Sequence, residues 1–136
     1  MEIYERVADH IFKNDRLFEF LEAEVLEVNY GRASVGMVVK ERHLNAAGVC
    51  QGGVIFTLSD LAFAIASNSY GKLALAIDSS IKYMRSALLG DRLIARAREI
   101  GRTKRLGFYV VEVERNGEIV AYFEGTVFIF DREFLG

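Results

Sequence analysis

The run from His43 to Gly71 contains one charged side chain, Asp60, among residues that are otherwise uncharged and largely apolar. Charge is costly to keep in such surroundings, so a carboxylate there is either satisfied by the fold or held for a reaction. On a helix its neighbours at three and four positions are Phe56, Thr57, Phe63 and Ala64, none able to neutralise it. The structural alternative is a bond from Asp60 to a backbone amide or an Arg side chain. Gly52 and Gly53 open the same segment. Amides in the first turn of a helix have no partner within it and carry the positive end of the macrodipole, so this end can hold an oxyanion. Glycine admits a ligand carbonyl closely, although a glycine pair also serves as a plain turn. Asn45 falls on the loop leading in, where its amide can orient a water or the carboxylate, and Gln51, the only Gln in the chain, can bond the same ligand.

Asp60 lies eight residues after Gly52, on the order of 12 Å along a helix axis. One chain cannot bring both groups to one atom. Two copies packed antiparallel across a two-fold axis can, with Asp60 of one facing Gly52 of the other and two equivalent sites at the interface.

The elements that would position these residues follow from the pattern. Ile3, Val7, Ala8, Ile11 and Phe12 share one helical face, predicting an N-terminal helix over residues 1–14 that Asn14 and Asp15 terminate. "AEVLEVNY" and "ASVGMVVKE" read as a hairpin turning at Gly31-Arg32. From Gly52 to about Ser69 the apolar residues follow no strict alternation over four to five turns, the mark of a buried helix. Four strand-like runs follow, the last two joined by Asn116-Gly117, a type I′ hairpin signal. The expected fold class is α+β: an antiparallel sheet of five to six strands wrapped around one long central helix. One helix cannot cover so wide a sheet, which predicts self-association, with Phe108/Val110 and Tyr122/Val127/Ile129 as candidate interface rows and core burial as the alternative.

With 136 residues, 51% of them hydrophobic, the chain is expected to form a single domain, 1–136. The lone Cys50 makes no internal disulfide, no secretion signal is evident, and no run is apolar enough for a membrane helix, so a cytoplasmic location without membrane partners is expected. Two histidines and one cysteine give no zinc spacing, and there is no phosphate-loop or dinucleotide fingerprint. Neither His10 nor His43 is expected to pair with Asp60. The net charge of −2 argues against a nucleic-acid partner. It conceals a band, 82–105, with eight bases against two acids, while the remainder carries nine bases against 17 acids. Such a band suits a phosphorylated small ligand, or else simply marks solvated strand faces.

Asn45, Gln51, Gly52, Gly53 and Asp60, followed by "IKYMR" at 81–85 and Gly90-Asp91, resemble the motif of the hot-dog fold acyl-CoA thioesterases, in the branch related to the phenylacetate-degradation (PaaI-like) enzyme, over roughly Arg16 to Ile129. The resemblance implies a hot-dog fold, dimers or dimers of dimers, and a coenzyme A thioester bound between chains as substrate, with no further cofactor and no metal. It assigns Asp60 as the catalytic carboxylate, Gly52 as the amide polarising the thioester carbonyl and Asn45 as the positioning group. Gln51 and Gly53 fall on the substrate, and Arg85, Arg102 and Lys104 on the coenzyme phosphates. Many members carry His where this chain has Gln51, and Pro where it has Ser86. Two other readings of the same fold are a non-catalytic acyl-CoA sensor and a 3-hydroxyacyl thioester dehydratase, which would need a His paired with the acid.

Overall fold

The computed structural model describes all 136 residues. Helix α1 (Ile3–Asn14) buries Val7, Ala8 and Ile11, and the Glu5 carboxylate accepts the Glu2 N–H at its start. Asp15 ends α1 and at once caps a second helix, α2 (Arg16–Leu21), by accepting the Leu17 N–H at 3.0 Å. This helix was not expected: six residues are too short to show a period, yet they seat Phe18 and Leu21 in the core.

Strands β1 (Glu24–Asn29) and β2 (Arg32–Val38) form the expected hairpin, with Arg32 already in the strand. A short 3-10 turn, Glu41–His43, and a loop lead to α3 (Gly52–Asn68), buried on almost every side. Strands β3 (Lys72–Tyr83), β4 (Arg92–Arg102), β5 (Leu106–Arg115) and β6 (Glu118–Glu133) complete one antiparallel sheet of six, in the order β1-β2-β4-β5-β6-β3. Asn116 and Gly117 both take positive φ, 50° and 81°, as a type I′ turn between β5 and β6 requires.

The sheet curls around α3, and alternate strand residues meet it: Val35 and Met37, Leu93 and Ala95, Val111 and Val113, Phe123 and Val127. One expectation is corrected here. Val127 and Ile129 belong to this core, on the face opposite Tyr122, and Val110 is buried within the protomer as well. These three offer no surface to a partner, whereas Phe108 and Tyr122 stay half-buried on the outer face. No helix is long and apolar enough to cross a membrane.

Candidate active site

The loop before α3 is organised by Asn45. Its side-chain oxygen accepts the N–H groups of Ala47 (2.9 Å) and Val49 (3.2 Å), and its backbone exchanges bonds with Val49 and Gly48. With the oxygen so engaged, the exposed Asn45 NH2 is left as a donor without a partner in the chain. The loop ends where the Gln51 N–H meets the His43 carbonyl at 2.8 Å. Gln51 is extended (φ −60°, ψ 137°), and its carbonyl accepts from both Val54 and Ile55. That arrangement satisfies two of the four first-turn amides of α3. The N–H groups of Gly52 and Gly53 are the two left free.

The two glycines have different surroundings. A Cβ at Gly52 would fall 2.9 Å from the hydroxyl and ring of Tyr83, whose OH donates to the Gly52 carbonyl at 2.8 Å. Nothing stands within 4 Å of the corresponding point on Gly53. Room for an approaching ligand is therefore at Gly53, while Gly52 is small because Tyr83 lies on it. A cleft of about 450 Å³ opens here, lined by Gly52, Tyr83, Met84 and Arg85. Arg85 is fixed at its rim by Glu118 (3.2 Å) and the Ile119 carbonyl.

Asp60, two turns further along α3, opens into a different cleft. This space of about 340 Å³ lies between the end of α1, α3 and the start of β3, lined by His10, Asp15, Asp60, Phe63, Ala76 and Phe134 among others. The Asp60 carboxylate is half-buried with no hydrogen bond or ion pair in the chain, so neither a backbone amide nor an Arg satisfies it. Burial pushes its pKa up, and the Asp15 charge adds to the shift. His10 lines the same cleft as Asp60, a neighbour that the sequence does not reveal, yet the two do not pair, as expected. It is not bonded to the acid: its Nδ1 faces the Asn14 amide at 3.4 Å and its ring meets Phe134 edge-on. Sequence reasoning missed His10, Asp15 and the Tyr83 bond, because they depend on how α1 and β3 dock on α3; the Asn14-Asp15 pair was legible only as a helix stop.

The remaining candidates are structural or lie elsewhere. The Cys50 thiol is buried and pushed up to about 11, mainly by desolvation, which keeps it protonated. His43 is buried in the 3-10 turn, accepting the Lys40 N–H on Nδ1, and burial lowers its pKa. Arg102 lies 3.9 Å over the Tyr70 ring and near Glu99, beyond the C-terminal end of α3, and Lys104 is exposed on the turn beside it. Within one chain neither approaches Gly52. Half of the eight bases in the band are matched by acids from the rest of the chain: Arg85 with Glu118, Arg92 with Glu24, Arg96 with Glu114, Arg105 with Asp131. Part of the uneven charge along the sequence is therefore pairing between distant segments.

A family model described as the thioesterase superfamily matches residues 47–122. A candidate esterase of Archaeoglobus fulgidus is 50% identical over 134 residues, covering 98% of this chain and 87% of its own. The acyl-coenzyme A thioesterase PaaI of Escherichia coli is 35% identical over 119 residues, 87% of this chain and 85% of its own. The solved E. coli PaaI protein superposes with a TM-score of 0.93, covering 96% of this chain and 95% of that one at 31% identity. A Streptococcus mutans protein solved bound to acetyl CoA matches with a TM-score of 0.78 at 29% identity, over 82% and 90% of the two chains. This chain's six-stranded antiparallel sheet, curled on one buried helix, is the fold it shares with the solved E. coli PaaI protein, and the chain belongs to the thioesterase superfamily, in its PaaI-like branch of hot-dog fold.

Proposed function

We propose that the protein hydrolyses acyl-CoA thioesters at two equivalent sites of a homodimer, each built from Gly52 of one protomer and Asp60 of the other. The observation that carries this reading is that both groups are unpaired, on one rigid helix, and open into separate clefts. The strand β3 supplies a way to join them. It is an edge of the sheet, 12 residues long, with Leu75 and Ile77 exposed. Ala74 and Ala76 near its start line the Asp60 cleft, and Tyr83 at its end covers Gly52. Antiparallel pairing of two such edges about a two-fold near Ser79 and Ser80 sets the start of one strand beside the end of the other, and so the acid of one chain beside the amides of its partner.

At such a site the free amides at Gly52 and Gly53 stabilise negative charge on the thioester oxygen, worth about 3 kcal/mol for a single donor of this type. Asp60 drives the attack in one of two ways. As base, it takes a proton from the attacking water and returns it to the CoA sulfur as the C–S bond breaks. As nucleophile, it adds to the carbonyl, expelling CoA thiolate and forming a mixed anhydride that water then opens, with the water's proton going to the thiolate. The Asn45 NH2, able only to donate, orients the carbonyl or the carboxylate, and Gln51 faces the same ligand. Arg85 at the cleft rim meets the coenzyme phosphates; Arg102 and Lys104 reach them only across a subunit boundary. The relative named as an acyl-CoA thioesterase and the neighbour solved with acetyl CoA support this substrate class. The dehydratase reading requires a His bonded to the acid, and His10 is engaged with Asn14 instead.

Changing Asp60 to Asn or Ala is expected to cut CoA release by about a hundredfold or more while leaving a folded oligomer, assayed across a panel of hexanoyl-, decanoyl- and phenylacetyl-CoA. Near-normal hydrolysis by these variants would overturn the assignment. Ligand-induced stabilisation of the unchanged protein without turnover would favour the sensor.

A further inference from the structure

The geometry points to Tyr83 as a positioning residue for the oxyanion amides, a role that rests on the thioesterase reading above. The Tyr83 hydroxyl donates to the Gly52 carbonyl at 2.8 Å, and the ring lies so close to Gly52 that no Cβ fits between them. The Gly52 carbonyl and the Gly53 N–H are the two ends of a single planar peptide unit. Holding the carbonyl therefore fixes the plane in which the free Gly53 N–H points. Accepting a bond from a phenol also polarises that peptide and strengthens its N–H as a donor. A glycine pair is the segment least able to hold such a plane by itself, since neither residue has a side chain to restrict it. To the bond that the Gly52 carbonyl makes along α3, Tyr83 adds a second restraint from β3, 31 residues along the chain. Its own pKa is raised by burial, so it stays a donor across the working range.

Tyr83 is 49% exposed, so Tyr83→Phe removes one oxygen from a site with room for the ring and the fold is retained. With an acyl-CoA that the unchanged enzyme turns over, this variant is expected to lose about five- to tenfold in kcat, the scale of one neutral hydrogen bond, with KM within about twofold and an unchanged melting temperature. A raised KM at constant kcat would show the phenol to be a contact of the substrate and would overturn the proposal. So would an unchanged kcat, whether or not the melting temperature falls. Asp60→Asn measured in parallel separates the two levels. If it is inactive and Tyr83→Phe is normal, only the Tyr83 assignment fails; if Asp60→Asn is active, the thioesterase site itself is misassigned and Tyr83 falls with it.

Discussion

Burial holds the Asp60 carboxyl above its ordinary range, and Asp15 across the cleft adds to the shift. A carboxyl whose folded pKa exceeds its unfolded value costs stability once it ionises. Below the ordinary carboxylate range Asp60 is protonated in both states and nothing is lost; as pH rises through the folded value the cost becomes complete. Asn at this position never ionises. Asp60→Asn is therefore expected to melt above the unchanged protein at pH 7, with the difference closing as pH falls below the ordinary carboxylate range, a comparison made by thermal denaturation of both over pH 3–8. Equal melting at neutral pH would mean that the folded assembly solvates or pairs this carboxylate after all. In the proposed reaction activity runs the other way, since a carboxylate must be ionised to act as base or nucleophile, which sets stability and turnover against each other at a single side chain.

Between elements, α3 and β3 are joined by one amide. Asn68, 3% exposed, donates to the carbonyls of Ala64 (2.9 Å) and Ala74 (3.1 Å) and accepts the Ala74 N–H at 2.8 Å. Asn68→Ala strands both buried polar groups of Ala74 and is expected to cost about 3 kcal/mol, measured by urea denaturation. The bonds of Asn68 to β3 leave no mark in the sequence, and that is general here. The helix α3 and all six strands follow from period and turn residues, because each repeats a local pattern many times over. The Gly52, Gly53 and Asp60 constellation was legible because an uncharged helix makes a single carboxylate conspicuous. What escaped depends on docking: the short helix α2, the arrival of His10 and Asp15 at the Asp60 cleft, and which face of β6 meets α3. Tyr122 and Val127 are five residues apart, an odd spacing that puts them on opposite faces of a strand, so they cannot form one outward row.

For the whole molecule, the proposed homodimer, with Gly52 of one protomer and Asp60 of the other in each site, makes a prediction that no single-chain enzyme shares. Gly52→Pro deletes one free amide, and α3 tolerates it: Pro suits the first helical position, and Gln51 already holds the extended backbone that a residue before proline requires. The ring that lies on Gly52 belongs to Tyr83, half-exposed and able to swing outward. Homodimers of Gly52→Pro lack the amide in both sites, and homodimers of Asp60→Asn lack the acid in both. In a mixed dimer, one site joins the Asp60 of the first chain to the Gly52 of the second and is whole, while the other has lost both groups. Unfolding the two variants together and refolding the equal mixture should thus restore about a quarter of the unchanged activity, since half of randomly paired dimers are mixed and each carries one of two sites. Steady-state CoA release before and after mixing measures it. If the site were contained within one protomer, every chain in the mixture would carry a defect and the activity would stay at the level of the separate variants. Recovery would put the site at the subunit boundary, where antiparallel pairing of the two β3 edges brings the intact groups together.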